Sequence, residues 1–289
     1  MVLLAGAGED ITVNEDHSVA CTACHLRDER VVGSRGNGNR AEGLPLDHAD
    51  FGSPDFKDSR FCAPCHQSDA GVSANGIPLT NTYAEWLASP FSARGVTCQN
   101  CHLPGGRYLF RGIHDPETAA SGITVAARNE GAGVTLSLSS TGVGHKFPTY
   151  AVPRVRMQLS LWRDDGERRT RLAFDEHIIE RMVRWVDGKW FEHFDTRLSP
   201  GETASVRLDW QPGAHYAEYA VLAEPDVFYL ETLYEHNASA SSDSLLDRLW
   251  DSARDRAVAG AYVLCEGQLR KEEEIGKTRR ALTCYGMVE

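Results

Sequence analysis

Apolar and polar residues alternate along much of the second half of the chain. Val134, Leu136 and Leu138 stand at every second position of one stretch. This period is typical of strands with one buried face. The stretches 155–161 and 206–210 alternate in the same way, and further strands, separated by Gly and Pro turn signals, are predicted at 177–186, 189–196, 219–222 and 227–234. We predict an antiparallel β-sandwich of about seven strands over residues 121–240.

The spacing of apolar residues becomes helical after this domain. Residues at this spacing are Leu245, Leu246, Leu249, Trp250 and Ala253. Polar residues at 241–243 precede them and can cap a helix. We predict a C-terminal helical extension over 241–289, with its helix continuing to about residue 271.

The first 120 residues have a different character. They are rich in Gly, Pro, Asp, Asn and Ser, and the stretch 33–39 is typical of irregular structure. A short helix is predicted at 82–88, before Ser89-Pro90. The fold class is therefore mixed: a loop-rich N-terminal segment with little regular structure, an antiparallel β-sandwich and a C-terminal helix.

Composition narrows the choice of partners. The chain has 289 residues, 42% of them apolar, and a formal net charge of −11. An acidic protein is a poor ligand for nucleic acid. The sequence has no apolar run of about 18 residues, so we predict no membrane span. Residues 1–8 do not form a complete signal peptide.

Six of the eight cysteines form three C-x-x-C-H motifs. Their residues are Cys21, Cys24 and His25, then Cys62, Cys65 and His66, then Cys98, Cys101 and His102. This is the pattern of c-type haem attachment, in which two thioethers hold the haem and the histidine binds its iron. Zinc sites and disulfides also use paired cysteines, but neither requires the adjacent histidine. We predict three covalently attached haem c groups, which would supply most of the core of residues 1–120.

Haem attachment has a consequence for location. Thioethers form outside the cytoplasmic membrane, so we predict an exported protein, periplasmic or extracellular, whose leader is not visible in this sequence. The remaining cysteines, Cys265 and Cys284, could form a disulfide in such a compartment. Their sequence positions alone do not establish it.

A second axial ligand for each iron must come from elsewhere in the chain. Eight of the eleven histidines stand outside the motifs, whereas methionine is scarce. His114 and His145 stand in loops with Gly or Pro nearby, and His48 and His17 are the next candidates. We predict mostly bis-histidine haems. The four histidines in or beside predicted strands are interpreted as ordinary domain residues: His177, His193, His215 and His236.

Three stretches carry a family resemblance. They are TYAEWLASPFSARGVTCQNCHLP at 82–104, FRGIHDPE at 110–117 and GHKFPT at 144–149. With the three motifs, they make the chain similar to multihaem c-type cytochromes in which a haem-rich segment precedes a β-sandwich. The resemblance spans about 45–235 and implies that His114 and His145 are distal haem ligands. Such relatives often carry four or more haems, whereas three motifs are present here.

Three functions are compatible with these features. The first is electron transfer, as a periplasmic shuttle between redox proteins or as a homopolymer, an extracellular filament (nanowire) subunit. The second is a haem-dependent oxidoreductase subunit acting on small nitrogen or sulfur compounds at one open haem. In the third, the β domain docks onto a redox complex through Trp185, Trp190 and Phe191. We favour electron transfer over enzymatic catalysis.

Overall fold

The structure is a computed structural model that describes residues 26–27, 30–31, 57–106, 110–234, 245–272, 278–280 and 283–284. The chain divides into two compact units, Met1–Phe61 and Cys62–Glu289. In the first unit, strands β1 (Leu26–Arg27) and β2 (Arg30–Val31) pair antiparallel, and Ser59–Phe61 form a 3₁₀ turn. The first cysteine motif, His17 and His48 lie outside the described residues.

Most helices of the second unit are short. They are α1 (Ala63–His66), α2 (Thr82–Leu87), α3 (Pro90–Ala93), α4 (Cys98–His102), α5 (Pro116–Ser121) and α6 (Leu245–Ala259). Helix α2 confirms the helix predicted at 82–88. Ser89 then starts α3, because its Oγ accepts hydrogen bonds from the backbone N–H groups of Phe91 and Ser92.

Two antiparallel sheets form the β domain. The first has the order β11-β6-β5-β14 and the second β15-β13-β12-β7-β8. Their strands are β5 (Ile123–Asn129), β6 (Gly133–Ser140), β7 (Arg154–Asp164), β8 (Arg169–Ile179), β11 (Thr203–Asp209), β12 (Tyr216–Glu224), β13 (Tyr262–Arg270), β14 (Thr278–Arg280) and β15 (Thr283–Cys284). The prediction of an antiparallel β-rich domain is confirmed.

The two sheets share one hydrophobic core. Leu136 and Leu138 of the first sheet and Met157, Leu159 and Leu161 of the second are fully buried. These are the alternating residues that predicted the strands. The polar residues between them face away from the core, as a period of two requires.

A third sheet lies outside this arrangement. It has the order β4-β3-β10-β9, from β3 (Ser73–Ala74), β4 (Ile77–Pro78), β9 (Arg181–Val186) and β10 (Lys189–Asp195). Strand β10 runs parallel to β3, with Trp190 opposite Ala74. We predicted that 177–186 and 189–196 belong to the β-sandwich, which is wrong for this hairpin. This hairpin connects the domain of two antiparallel sheets to the segment that carries the second and third cysteine motifs.

Two further expectations need correction. Residues 227–234 are not a strand, since Tyr229–Tyr234 form a π-helix whose first turn bonds to the carbonyl of Asp226. The apolar run there does not alternate, so it carries no strand period. Helix α6 ends at Ala259 rather than near residue 271. After Gly260 the chain becomes β13, which pairs with β12 and buries Leu264 and Leu269.

Cys265 in β13 is disulfide-bonded, and the residue opposite it in β15 is Cys284. This strand pairing places the C-terminal segment at the edge of the second sheet. In the described part of the chain, no helix is long and apolar enough to span a membrane. The division into segments 1–120, 121–240 and 241–289 stays a prediction.

Candidate functional site

The second and third cysteine motifs each form a short helical turn. In α1, the backbone N–H of His66 donates to the carbonyl of Cys62 over 3.0 Å. In α4, Asn100 Oδ1 accepts from the backbone N–H of Thr97 over 2.7 Å, which stabilises the start of the turn. The four cysteines of these motifs carry thiols, and Cys65 and Cys101 are exposed. Each turn therefore presents thiols three residues apart, followed at once by an imidazole.

The imidazoles of His102 and His145 face each other. Their ring centroids are 6.3 Å apart and the ring planes differ by 13°. Two imidazoles bound to opposite sides of one metal ion through bonds of about 2 Å have centroids about 6 Å apart. The separation and the near-parallel planes thus fit a shared metal ion between the two rings.

Hydrogen bonds fix the tautomer of both rings. His102 Nδ1 lies 2.7 Å from the carbonyl oxygen of Arg111, and His145 Nδ1 lies 2.9 Å from that of Lys146. A carbonyl only accepts, so each Nδ1 carries the proton and donates. In each neutral ring the lone pair is then on Nε2. This is the arrangement that orients histidine ligands at metal sites.

The environment keeps His145 neutral. Burial lowers its pKa to about 4, although the hydrogen bond with the Lys146 carbonyl opposes the shift. The charges of His102, His66 and Arg197 lower the pKa further. A neutral imidazole is the form that binds a metal ion.

Buried charges hold the loop that carries His145. Lys146 Nζ lies 2.8 Å from Asp195, and its backbone N–H donates to Glu85 over 3.2 Å. Arg197, whose side chain is 2% exposed, contacts Glu85 at 3.2 Å and Asp195 at 2.9 Å. The loop is thereby tied to both α2 and the end of β10.

Close packing supports the same loop from the other side. A Cβ atom added at Gly144 would lie 3.4 Å from atoms of Phe91 and of Trp86. Trp86 Nε1 donates to the carbonyl of Val96 over 2.9 Å, just ahead of α4. The His145 loop therefore packs at Gly144 against Phe91 and Trp86, in the segment that leads into the third motif.

His66 contacts a residue that the sequence did not single out. Its Nδ1 makes a short contact with the hydroxyl of Tyr150, and the ring centroids are 6.0 Å apart with planes at 18°. Part of the His66 ring reaches the surface, yet desolvation by neighbouring atoms lowers its pKa, and the charge of His102 adds to this. Burial raises the pKa of Tyr150 to about 12. Tyr150 stands five residues after His145, but its contact with His66 joins positions 84 residues apart, so no sequence pattern pointed to it.

The structure pairs His114 with a carboxylate. His114 Nε2 lies 2.9 Å from Asp226 Oδ2, and the side chain is 64% exposed. The hydrogen bond that Asp226 accepts raises the pKa of His114, against a smaller effect of burial. The sequence predicted His114 and His145 as equivalent candidates. The structure instead brings His145 to His102 and holds His114 beside Asp226.

The donor set fits a haem better than a metal cage. Among the residues that the structure describes, no three side chains of His, Cys, Asp and Glu converge on a point where they could hold a metal ion. Haem iron takes four nitrogens from its own ring and needs only two axial ligands from the protein. A pair of imidazoles with unprotonated Nε2, beside exposed thiols, supplies that chemistry.

Comparisons with known proteins add one finding. The chain matches no protein-family model and no curated protein. Among solved structures, it is similar to the crystal structure of a penta-heme cytochrome c552 from Thermochromatium tepidum. The two are 16% identical, the TM-score is 0.57, and the similarity covers 84% of this chain and 68% of that chain. This chain therefore shares its fold with a multihaem cytochrome.

Proposed function

We propose that this protein is an electron-transfer c-type cytochrome with three covalently bound, mostly bis-histidine haems. The attachment residues would be Cys21, Cys24, His25, Cys62, Cys65, His66, Cys98, Cys101 and His102. Each haem supplies a centre that takes up and releases one electron. The chain's own residues would bind the haems, set their spacing and tune their potentials.

The geometry of His102 and His145 carries the proposal. Their rings are near-parallel at 6.3 Å, and both Nδ1 atoms donate to backbone carbonyls. His102 follows directly after Cys101, so an axial role for its Nε2 matches the attachment pattern. We assign His145 as the distal ligand of this haem. His114, His48 and His17 remain candidates for the distal positions of the others.

Proximity of the second and third motifs supports electron transfer. The charge of His102 lowers the pKa of His66, and the charges of both rings lower the pKa of His145, so the two motifs lie within electrostatic reach of the same residue. Haems attached at these two motifs would then be near neighbours. Short separations between iron centres favour rapid electron exchange. The two antiparallel sheets, which we interpret as a β-sandwich, would serve as a rigid scaffold.

We further propose an exported protein that exchanges electrons with redox protein partners, either as a periplasmic shuttle or as an extracellular filament subunit. The shared fold with a penta-heme cytochrome supports an assignment to this class of carriers. Electron microscopy of the purified holoprotein distinguishes the two forms. A shuttle gives dispersed particles, whereas a filament subunit gives fibres.

Mass and spectrum together test the proposed function. The chain is produced with a c-type maturation system, and intact mass is measured beside a reduced-minus-oxidised spectrum. We expect three haem additions and low-spin bands only. Fewer additions, or zinc in place of haem, would contradict the proposal.

One observation favours a second candidate, a haem-dependent oxidoreductase acting on small nitrogen or sulfur compounds. Among the described histidines outside the motifs, His145 pairs with His102 and His114 pairs with Asp226, so the described contacts suggest a distal histidine for the third motif only. An enzyme of this kind needs one iron with an open position. Carbon monoxide added to the reduced protein shifts the spectrum of such a haem, and an unshifted spectrum would leave electron transfer as the function.

A further inference from the structure

The hydroxyl of Tyr150 meets His66 on the side of the ring opposite to its metal-binding nitrogen. The contact joins Oη to Nδ1, and the two rings lie 6.0 Å apart with planes at 18°. When a histidine binds a metal through Nε2, the partner of Nδ1 sets the tautomer and the orientation of the ring. Tyr150 stands in that place for the second cysteine motif.

We propose that Tyr150 is a positioning residue that orients the His66 imidazole and tunes the potential of the haem attached at Cys62 and Cys65. This inference rests on the proposed function, since it requires a haem at that motif. Tyr150 acts through His66 and does not itself bind the iron.

The proposed haem decides which atom of His66 carries the proton. An imidazole that binds iron through Nε2 keeps its proton on Nδ1 and donates it. The Oη atom of Tyr150, which contacts Nδ1 of His66, would then accept this hydrogen bond. The Tyr150 side chain is also hydrogen-bonded with Thr82, the first residue of α2, and Thr82 Oγ1 lies 2.7 Å from Thr149 Oγ1.

The backbone of Tyr150 is held in an unfavourable conformation. Its φ is +66°, in the left-handed region that residues other than glycine seldom adopt. Such a conformation persists only where the surrounding structure requires it, and these positions concentrate at functional sites. The hydroxyl of this residue contacts His66, the last residue of α1.

His102 provides the contrast within the same protein. Its Nδ1 donates to the backbone carbonyl of Arg111, an acceptor that no substitution at position 111 removes. The acceptor of His66 belongs to a side chain, so it can be deleted without touching the ligand or the attachment cysteines. An acceptor on Nδ1–H makes the ligand more basic and favours the ferric state. Its loss should raise the potential of that one haem.

The test replaces Tyr150 by Phe in the full-length holoprotein, followed by a redox titration that resolves the haems. The ring is kept and only Oη is lost. We expect three haems by mass, retained low-spin bands and an upward shift of one midpoint potential. Tyr83→Phe is the matched control, because Tyr83 lies on α2 with its ring packed on Trp86. Its three potentials should equal those of the unmodified protein.

A double-mutant cycle assigns the shift to His66. Tyr150→Phe is combined with His66→Met, whose thioether has no Nδ1–H to donate. The upward shift should disappear in this background, and a shift that persists would overturn the assignment.

The outcomes separate this inference from the proposed function. Unchanged potentials in Tyr150→Phe, with three haems present, would overturn the role of Tyr150 alone. A new high-spin haem in that variant would make Tyr150 an iron ligand and also overturn a positioning role. A shortage of haems in the unmodified protein would instead overturn the proposed function.

Discussion

His102 and His145 illustrate what sequence alone can reveal about a site at the scale of single residues. Both could be singled out, His102 by its motif and His145 by its glycine-flanked loop and family resemblance. The carbonyls of Arg111 and Lys146, which fix the tautomers of the two histidines, could not be singled out, because every residue has a carbonyl. Tyr150 was missed for a related reason, since its contact with His66 depends on folding across 84 residues.

Replacing His145 by Met tests the assignment of the distal ligand. A thioether is a poorer donor to ferric iron than imidazole, so one of the three midpoint potentials should rise. A redox titration followed by absorbance measures it. His193→Met is the control, because His193 is exposed on β10. Three unchanged potentials in His145→Met would remove His145 from the ligand set.

At the scale of elements, the hairpin β9–β10 shows where local sequence signals are insufficient. The turn signal at Asp187-Gly188 correctly separates two strands but does not say which sheet they join. Arg181 decides this, because its fully buried side chain donates to the carbonyls of Ile77, Pro78 and Leu79 and pairs with Glu192 at 2.6 Å. The pattern of apolar and polar residues does not reveal that a buried arginine binds carbonyl groups about 100 residues earlier in the chain, in and just after β4.

Replacing Arg181 by Met should destabilise the protein strongly. The variant leaves Glu192 and three carbonyls without their partner, and breaking a buried ion pair costs about 3–5 kcal/mol. Urea unfolding followed by circular dichroism measures the loss as a lower midpoint. Arg184→Met on the same strand is the control, because Arg184 is exposed and its loss should change stability little. Equal midpoints for the two variants would argue against a clamp at Arg181.

The ion pairs that link α2 to the end of β10 should make the stability of the protein depend on pH in acid. Burial opposes ionisation of Asp195, but hydrogen bonds from Arg197 and Lys146 outweigh it and lower the pKa to about 2. The pKa of Asp195 is lower in the folded protein than in the unfolded chain, where it is near 3.8. The ionised Asp195 therefore stabilises the fold at pH values above 3.8, and this stabilisation is lost as the pH falls toward 2. Its size is roughly 2 kcal/mol.

Urea unfolding of the unmodified protein and of Asp195→Asn at a series of pH values checks this. The unmodified protein should be the more stable at pH 6, and the difference should shrink between about pH 4 and pH 2. Asp209→Asn is the control, because the Asp209 side chain is 73% exposed. A difference that stays constant across the series would show that Asp195 is not the titrating group.

At the scale of the whole molecule, the core of the β domain contains none of the described residues of the cysteine motifs, and we expect it to form independently of them. Its buried members run from Ala119 to Leu269 and come mainly from the two antiparallel sheets. The alternation of apolar residues predicted β6, β7 and β11, and the stretch 219–222 predicted part of β12. It did not predict β13, because the helical spacing before it suggested that the helix continued, and because pairing with β12 depends on residues about 45 positions away.

A chain whose six motif cysteines are replaced by alanine tests this independence. It should lack covalent haem yet retain a far-ultraviolet β signal and a cooperative unfolding transition, since the two sheet core remains. Circular dichroism during urea titration measures both. The untreated holoprotein is the reference. A gradual, uncooperative change in the variant would show that the haems are needed to complete the β domain.

The parallel pairing of β3 with β10 affects whether the two parts of the chain can evolve separately. The segment between the second and third cysteine motifs is a partner in a sheet whose other half comes from residues 181–195. A chain cut near residue 120 would lose the strand opposite Ala74 and the guanidinium that binds residues 77–79. We therefore expect that the segment before residue 120 and the segment after it cannot be exchanged separately between related proteins. Insertions and deletions in one are expected to be matched in the other.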